Sequence, residues 1–372
     1  MVRVNPTRRA ALGRWSVVAG GVAVLCAVPA AVAAWPAPAV AANPGRLRTA
    51  ILASAGHPYQ GYVDSQGRMG LPSLPQAGDV TDLFSAATSI RVWHATSRSW
   101  RVAVVEATGE RDFYATPEGT YLWDFGRNTL TEVVGDLPVR LPWAPDVVPP
   151  ELARRLLGSA APGDRLAALP SRRIAGVAAA GLRLTPSDPD TTIGRIDVWA
   201  DPATGLPVQV DVAARGAAEP AFTSRFLDLA QRAPDPAVLT PSAPDSAGYL
   251  TTTAVDIASS VNSLGPLLPE SLAGRPKVET DSTVAGVAAY GAGLSRFAVI
   301  PIPGGTGSRA FEAVHNAGGA RLTLTRGEGY ALQAGLLTVV AVRTRRTTYL
   351  LAGLVTPELL TRAAADLVAV RR

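Results

Sequence analysis

The chain has 372 residues, 47% of them hydrophobic and 17% charged, so it is long enough to bury a sizeable core and to form two domains. Its net charge of +5 comes mostly from residues 1–42, which contain Arg3, Arg8, Arg9 and Arg14 and no acidic residue. The remaining 31 basic residues face 30 acidic ones, and no basic cluster with interleaved aromatic residues occurs. A nearly neutral body lacks the field on which nucleic-acid binding depends, so we expect no nucleic-acid partner.

Residues 1–42 have the form of an export signal. Four arginines precede an uncharged stretch over residues 15–42, and Ala39-Val40-Ala41 has the small-x-small form that signal peptidase cleaves. The same apolar stretch is long enough to span a membrane as a slightly broken helix. The segment is therefore compatible with two interpretations, a cleaved signal peptide and an N-terminal membrane anchor. In either case the arginines keep the N-terminus cytoplasmic. The body is then extracytoplasmic, either held at the cell membrane or released into the envelope.

The single cysteine of the chain, Cys26, lies within this leader. Leu25 before it is larger than the small residue that precedes a lipoprotein cysteine, so we do not expect lipidation. The exported part has no cysteine. This excludes disulfides, thiolate metal sites and a thiol nucleophile in that part of the chain.

The exported part begins with a predicted helix over residues 46–56 and continues with predicted strands. Apolar and polar positions alternate most clearly in the segments 100–105, 121–125 and 195–200. A Pro- and Gly-containing turn over residues 201–205 leads into another such segment, which predicts an antiparallel meander. Pro149 and Pro150 predict the start of a helix that interrupts the strands.

A Pro-rich stretch over residues 233–247 predicts a linker, because its four prolines cannot continue a ladder or a helix. Beyond it we predict a helix near 254–264, strands around 286–301 and 320–325, a helix over 308–316 and a hairpin with arms 336–343 and 347–355. Thr356-Pro357-Glu358 predicts the start of a final helix. The apolar residues on one face of that helix are Leu359, Leu360, Ala363, Ala364, Leu367 and Val370.

Residues for catalysis are scarce. The exported part has only His57, His94 and His315, and it contains neither a GxSxG nor an HExxH motif. We therefore expect a protein that is not an enzyme, with no catalytic residues and no cofactor. The weaker alternative is an uncharacterised hydrolase, with His94 as a base oriented by Asp124.

Three aspartates are candidate metal ligands. The carboxylates of Asp188, Asp190 and Asp201 could supply oxygen atoms to a calcium ion. Each lies beside a proline in a segment that is typical of turns, and turn chemistry explains these residues without a ligand. We expect no metal site.

Aromatic residues at alternating strand positions are the remaining candidates for function. Few strong helices are predicted to cover the apolar strand faces, so a concave apolar surface could bind a ligand. Core packing is the alternative for each of these residues. The candidate ligand-binding residues are Trp93, Trp100, Tyr121, Trp123, Phe125 and Trp199.

Two stretches of the chain resemble the LolA-like family of exported lipid-handling proteins. They are LRLTPSDPDTTIGRIDVWADPATGLPVQV over residues 182–210 and AFTSRFLDL over residues 221–229. In that family a strand carrying an aromatic residue and an acid leads through a "D..TGLP" turn to the next strand. The residues that fill this pattern here are Val198, Trp199, Asp201, Gly205, Leu206 and Pro207. The resemblance covers about residues 44–232, and the two-domain plan resembles that of the RseB/MucB group.

The resemblance implies an α+β fold: a curved, incompletely closed antiparallel sheet, or half-barrel, wrapped on helices over residues 44–232. The linker over residues 233–247 and a smaller α+β domain over residues 248–372 would follow. It also implies a membrane-proximal, non-enzymatic regulatory protein of RseB/MucB type, which binds a hydrophobic acyl ligand, a membrane-embedded anti-sigma factor or other envelope protein, or both. The alternative is an envelope lipid or lipoprotein carrier or chaperone of LolA/LppX type. The resemblance transfers no individual binding residue.

Overall fold

A computed structural model of the chain describes residues 42–70, 78–106, 109–134, 142–253, 268–278, 288–345 and 347–369. These residues form a twelve-stranded sheet, a six-stranded sheet and a two-stranded hairpin. The predicted leader, apart from its last residue, and the predicted helix near 254–264 lie outside the described residues.

The large sheet is antiparallel except for one pair of strands. In space its strands follow the order β12-β6-β5-β4-β3-β2-β1-β11-β10-β9-β8-β7, and only β6 and β12 run parallel. Its first and last strands do not pair with each other, so the sheet is not closed. This confirms the predicted half-barrel class. The strands are β1 (Tyr59–Gly67), β2 (Ala87–Thr96), β3 (Ser99–Val105), β4 (Glu110–Ala115), β5 (Thr120–Asp124), β6 (Thr129–Val134), β7 (Arg165–Ile174), β8 (Val177–Thr185), β9 (Ile193–Ala200), β10 (Pro207–Ala214), β11 (Phe222–Ala230) and β12 (Gly248–Thr253).

Strand β1 joins two antiparallel meanders, because it pairs with β2 on one side and with β11 on the other. A register shift between Tyr62 and Val63 marks a bulge on the β11 side. At Gly61 a Cβ atom would come within 2.3 Å of the carbonyl oxygen of Asp228. This close approach of two backbones requires glycine.

Three helices lie with the large sheet: α1 (Pro44–Ala53), α2 (Gly78–Ser85) and α3 (Pro149–Gly158). Asn43 caps α1, because its side-chain oxygen accepts from the backbone N–H of Arg46 at 3.1 Å. Helix α3 begins with the two prolines that predicted it. Buried residues of α1 and α3 share one core cluster with the face of the sheet that carries Tyr59, Val63, Val92 and Val102. We call this face the inner face and the opposite one the outer face.

The second sheet forms the smaller α+β domain. Its strands follow the order β15-β16-β20-β19-β18-β17, all antiparallel, and two helices accompany it. The elements are β13 (Ser271–Leu272) and β14 (Arg275–Pro276), which form the hairpin, then β15 (Ala288–Tyr290), β16 (Phe297–Pro303), α4 (Gly304–Asn316), β17 (Ala320–Arg321), β18 (Glu328–Ala334), β19 (Leu337–Arg343), β20 (Thr347–Gly353) and α5 (Pro357–Ala369). The predicted hairpin and final helix are confirmed, whereas α4 begins four residues earlier than predicted.

Strand β12 follows the predicted linker and pairs with β6, so residues 248–253 extend the large sheet. The linker stretch itself contains a short 3-10 helix, Pro236–Leu239, which lies against β3 and buries Leu239. One contact between the two sheets is made by the loop after β8. There Thr191 forms an isolated bridge with Val355, and the backbone N–H of Thr192 donates to the carbonyl of Leu354 at 3.1 Å.

Candidate ligand-binding site

The inner face of β1, β2 and β3 is mainly apolar, and its polar residues include His94 and the pair Ser65 and Thr88. Residues that pair across neighbouring strands share a face. The register pairs Tyr59 with His94, His94 with Trp100, and Val92 with Val102. Because Tyr59, Val92 and Val102 belong to the core cluster that contains α1 and α3, this row lies on the inner face.

A short segment before α3 crosses the inner face, and residues 144–148 of it are buried. Asp146 fixes this segment with both carboxylate oxygens. One oxygen accepts from the backbone N–H of Trp143 at 2.8 Å, and the other accepts from Nη2 of Arg155 at 2.8 Å. Ser224 of β11 donates to the carbonyl of Val147 at 2.6 Å. The segment is therefore held to both α3 and the sheet.

On one side of this segment lies a cavity of about 420 Å³, which we call cavity A. It is bounded by α2, the ends of β3 and β4, and Trp143. At its edge Arg111 pairs with Glu106 at 2.7 Å. The apolar part of its lining includes Leu83, Val104, Phe113, Leu122 and Trp143.

On the other side lies a cavity of about 330 Å³, which we call cavity B. Its lining combines an apolar wall from the sheet with a charged wall from α3 and the segment before it. The apolar wall includes Tyr59, Val92, Trp100 and Val102, and Val148 of the segment before α3 adds to the apolar lining. The polar and charged lining residues are His94, Ser97, Asp146, Glu151, Arg154 and Arg155.

Two buried nitrogen atoms of residues that line cavity B lack hydrogen-bond partners among the described residues: Nδ1 of His94 and Nη1 of Arg154. The His94 side chain is buried, and its ring stacks on the ring of Tyr59 with the two centroids 4.8 Å apart. Burial, and then the positive charge of Arg154, lower the pKa of His94 from 6.5 to about 4. The neutral imidazole therefore prevails at pH 7. Arg154 donates from its other terminal nitrogen to Glu151 at 2.9 Å.

Of the six aromatic residues predicted to bind a ligand, Trp100 lines cavity B. The register pairs Trp93 with Arg101, Arg101 with Tyr114, and Tyr114 with Tyr121. Because Arg101 alternates with Trp100 along β3, Trp93 and Tyr121 lie on the outer face.

Trp123 also lies on the outer face, because it is two residues from Tyr121 on the same strand, and it is buried there. Phe125 follows β5 and is 63% exposed. Trp199 pairs with Gln209, which alternates with inner-face core residues of β10. Its ring lies under the guanidinium of Arg172 at 3.9 Å, and its indole N–H donates to a backbone carbonyl. The six residues therefore do not form one surface.

Sequence reasoning missed a buried polar cluster on the outer face. Asp112 accepts from Arg101 at 2.7 Å and from the Tyr114 hydroxyl at 3.1 Å, and the Arg101 guanidinium lies 4.8 Å from the Trp93 ring. Burial raises the pKa of Asp112 to about 6, and Arg101 opposes that shift. A charged residue at an alternating strand position ordinarily faces water, so the pattern carried no sign of its burial.

The alternatives for catalysis and metal binding have structural explanations. Asp124 accepts from the backbone N–H of Arg127 at 2.9 Å, and no hydrogen bond joins it to His94 among the described residues. Asp188 and Asp190 both accept from Arg275, and Asp201 accepts from a glutamine side chain. Within the described ranges, no group of three or more His, Cys, Asp or Glu side chains is arranged to hold a metal ion.

No helix in the part of the chain that the structure describes is both long enough and apolar enough to cross a membrane.

Comparison with solved structures finds similarity to the same families that the sequence resembles. A chain in the complex structure of Pseudomonas aeruginosa MucA/MucB is 17% identical, with 87% of this chain and 97% of that chain covered and a TM-score of 0.49. A structure of MucB in complex with MucA(peri) gives the same identity and coverage with a TM-score of 0.47. A LolA superfamily protein from Nitrosomonas europaea is 14% identical, with 54% of this chain and 99% of that chain covered and a TM-score of 0.24. No protein-family model and no curated protein matches the chain.

Proposed function

We propose that this chain is an extracytoplasmic, non-enzymatic regulatory protein of RseB/MucB type. Its large sheet would bind an acyl chain, and the protein would contact a membrane-embedded anti-sigma factor. The observation that carries the proposal is the pair of cavities on the inner face, on either side of the segment that Asp146 fixes.

The lining of these cavities suits an acyl chain. Cavity A is walled by Val104, Phe113, Leu122 and Trp143, and cavity B by Trp100 and other apolar residues. Their volumes of about 420 and 330 Å³ are of the order found for small-molecule sites. Water gains few hydrogen bonds against apolar walls, whereas a hydrocarbon chain buries apolar surface there.

The surroundings of His94 support a non-enzymatic function. A hydrolase of the predicted kind needs a base that hydrogen-bonds a nucleophile and is itself oriented by a carboxylate. Here a hydrogen bond to the backbone of His57 and the stack on Tyr59 hold the ring, and Nδ1 has no hydroxyl partner among the described residues. The lowered pKa of His94 also removes it from the range that suits general-base catalysis at pH 7.

The proposed partner comes from the sequence resemblance over residues 44–232, because the RseB/MucB group acts through an anti-sigma factor. A position outside the cytoplasm follows from the leader over residues 1–42. The acyl chain and the partner are separate parts of the proposal, and each can be tested alone.

The first test is mass spectrometry of organic extracts from residues 43–372, purified after export from a related host, with mock-purified material as the control. We expect one lipid class at near-equal stoichiometry. The second test titrates the protein with the extracytoplasmic part of an anti-sigma factor encoded in the same genome. Lipid-free extracts together with no binding in the titration would overturn the proposal.

An envelope carrier of LolA/LppX type is the second candidate. The observation in its favour is that the described residues lining both cavities belong to the large sheet, its helices and the segments that join them, and none belongs to the described part of the smaller domain. A carrier would accelerate lipid transfer between donor and acceptor vesicles in proportion to protein concentration. A regulator would bind lipid without accelerating that transfer.

A further inference from the structure

We propose that cavity B binds the carboxylic acid group of a single-chain fatty acid, with Arg154 donating to one of its oxygens and His94 sharing a proton with the other. This inference rests on the proposed acyl-binding function and adds the chemical class of the ligand's head. It starts from the two buried nitrogen atoms that lack partners in one cavity.

The hydrogen-bonding capacity of these two atoms differs. Nη1 of Arg154 can only donate, because a guanidinium has no acceptor. The His94 ring forms a hydrogen bond to the backbone of His57 that favours its protonated form, so the ring donates there. A neutral imidazole that donates through one nitrogen presents the other as an acceptor. The residues that line cavity B therefore carry one unpartnered donor and one unpartnered acceptor.

A protonated carboxyl group matches this pair, because its carbonyl oxygen accepts and its hydroxyl donates. An ester, an amide nitrogen without hydrogen or a bare hydrocarbon end leaves at least one of the two atoms unsatisfied. An unsatisfied buried polar group is costly, so the match selects among acyl compounds. The apolar wall of Tyr59, Val92 and Trp100 would contact the first carbons of the chain.

The two carboxylates near His94 are already paired with arginines and therefore do not oppose the binding of a carboxyl group. Glu151 is paired with Arg154 at 2.9 Å and Asp146 with Arg155 at 2.8 Å. Tyr59 stacks on the ring, and His57 lies in the segment before β1. Ser97 is exposed and the Arg155 side chain is half exposed, which opens this side of the cavity to solvent.

Binding of this kind takes up a proton. A free carboxylate and a neutral His94 hold no proton between the carboxylate oxygen and Nδ1 at pH 7. The bound pair shares one, whether it resides on the oxygen or on the ring. One proton therefore enters from solvent for each fatty acid bound, and the affinity falls as the pH rises.

The test compares dodecanoic acid with methyl dodecanoate on the full-length exported protein. Calorimetric titration in two buffers of different ionisation enthalpy measures the proton uptake. We expect uptake of about one proton per dodecanoate at pH 7 and none for the ester. The ester should bind about tenfold more weakly, because it has no hydroxyl to donate and leaves the buried Nδ1 of His94 unsatisfied. Equal affinity for acid and ester without proton uptake would overturn this inference and leave acyl binding intact. Binding of neither compound would overturn this inference together with the acyl-binding part of the proposed function, and would leave the partner to its own test.

Variants assign the two roles. Arg154→Met should weaken the binding of both the acid and the ester. His94→Phe keeps the stack on Tyr59 and should abolish the preference for the acid over the ester. Arg127→Met is the matched control, because the Arg127 side chain is 84% exposed in the turn after β5. The proton count on the unmodified protein keeps the inference testable even where a variant does not fold.

Discussion

Arg275, on the hairpin of the smaller domain, donates from Nη2 to Asp190 at 2.7 Å and to Asp188 at 3.1 Å, and both carboxylates belong to the β8–β9 loop of the large sheet. Ser295 also donates to Asp188 at 2.6 Å, and Arg362 lies 3.4 Å from Asp190. Burial works to raise the pKa of Asp188, but hydrogen bonds from Ser295, the Asp190 backbone and Arg275 hold it below its ordinary value. The two sheets are thus joined through a network of charged side chains.

Replacing Arg275 by glutamine should loosen this junction. Arg275, Asp188 and Asp190 are each about one quarter exposed, so the variant leaves two partly buried carboxylates with fewer partners. We expect the free energy of unfolding to fall by about 1–3 kcal/mol. Urea unfolding measures this free energy, and Arg326→Gln is the control because Arg326 is exposed. A midpoint equal to that of the control would show that the pair contributes no net stability.

A second contact between the sheets depends on glycine. Gly335, in the turn between β18 and β19, has φ +56°, and a Cβ atom there would lie 2.9 Å from the Cα atom of Met69. Gly318 has φ +84° with open space around it. Both Gly→Ala variants incur left-handed strain of about 1 kcal/mol, but only Gly335→Ala also displaces the backbone at Met69. Thermal unfolding should therefore show a larger decrease in the midpoint temperature for Gly335→Ala than for Gly318→Ala. Equal decreases would mean that the backbone at Met69 shifts at no cost in stability.

The sequence predicted the strands and the terminal helix because their signals are local. Alternation over 100–105 and 195–200 and the Thr356-Pro357-Glu358 start depend only on neighbouring residues, and β3, β9 and α5 bear them out. Alternation shows which residues share a face of one strand, but not which face turns inward. Trp100 and Trp93 were grouped for that reason, although they lie on opposite faces.

The functional atoms of cavity B depend on contacts between distant parts of the chain. His94 on β2 and Arg154 on α3 line the same cavity although they are sixty residues apart in the chain. The pairing of β12 with β6 is equally non-local, since it joins residues on either side of the predicted linker. Short-range patterns carry no information on such pairings.

Alanine variants of two tryptophans should separate binding from packing. Trp100 lines cavity B, whereas Trp123 is buried on the outer face against Phe125, with ring centroids 6.3 Å apart. Trp100→Ala should weaken dodecanoate binding by about tenfold through lost apolar contact. Trp123→Ala should leave that affinity within about twofold while lowering the free energy of unfolding by about 3–5 kcal/mol. The opposite pattern would place the acyl site on the outer face.

The last prediction concerns the pH dependence of folding. In the folded chain the pKa of His94 is lowered from 6.5 to about 4, by burial first and by Arg154 second. The unfolded state therefore binds a proton at a higher pH than the folded state does. The stability that neutral His94 contributes is fully present above pH 6.5, declines as the pH falls toward 4, and is lost below it. The shift corresponds to about 3 kcal/mol over this range.

His94→Phe should remove this decline, because the ring stack on Tyr59 is retained and the titrating group is gone. The measurement is the urea midpoint at several pH values from 7 to 4 for the unmodified protein and the variant. His315→Gln is the control, since the His315 side chain is 49% exposed. The unmodified protein and the control should lose stability in parallel as the pH falls, while His94→Phe loses less by up to about 3 kcal/mol. Parallel curves for all three proteins would mean that His94 is protonated in the folded state at the same pH as in the unfolded chain.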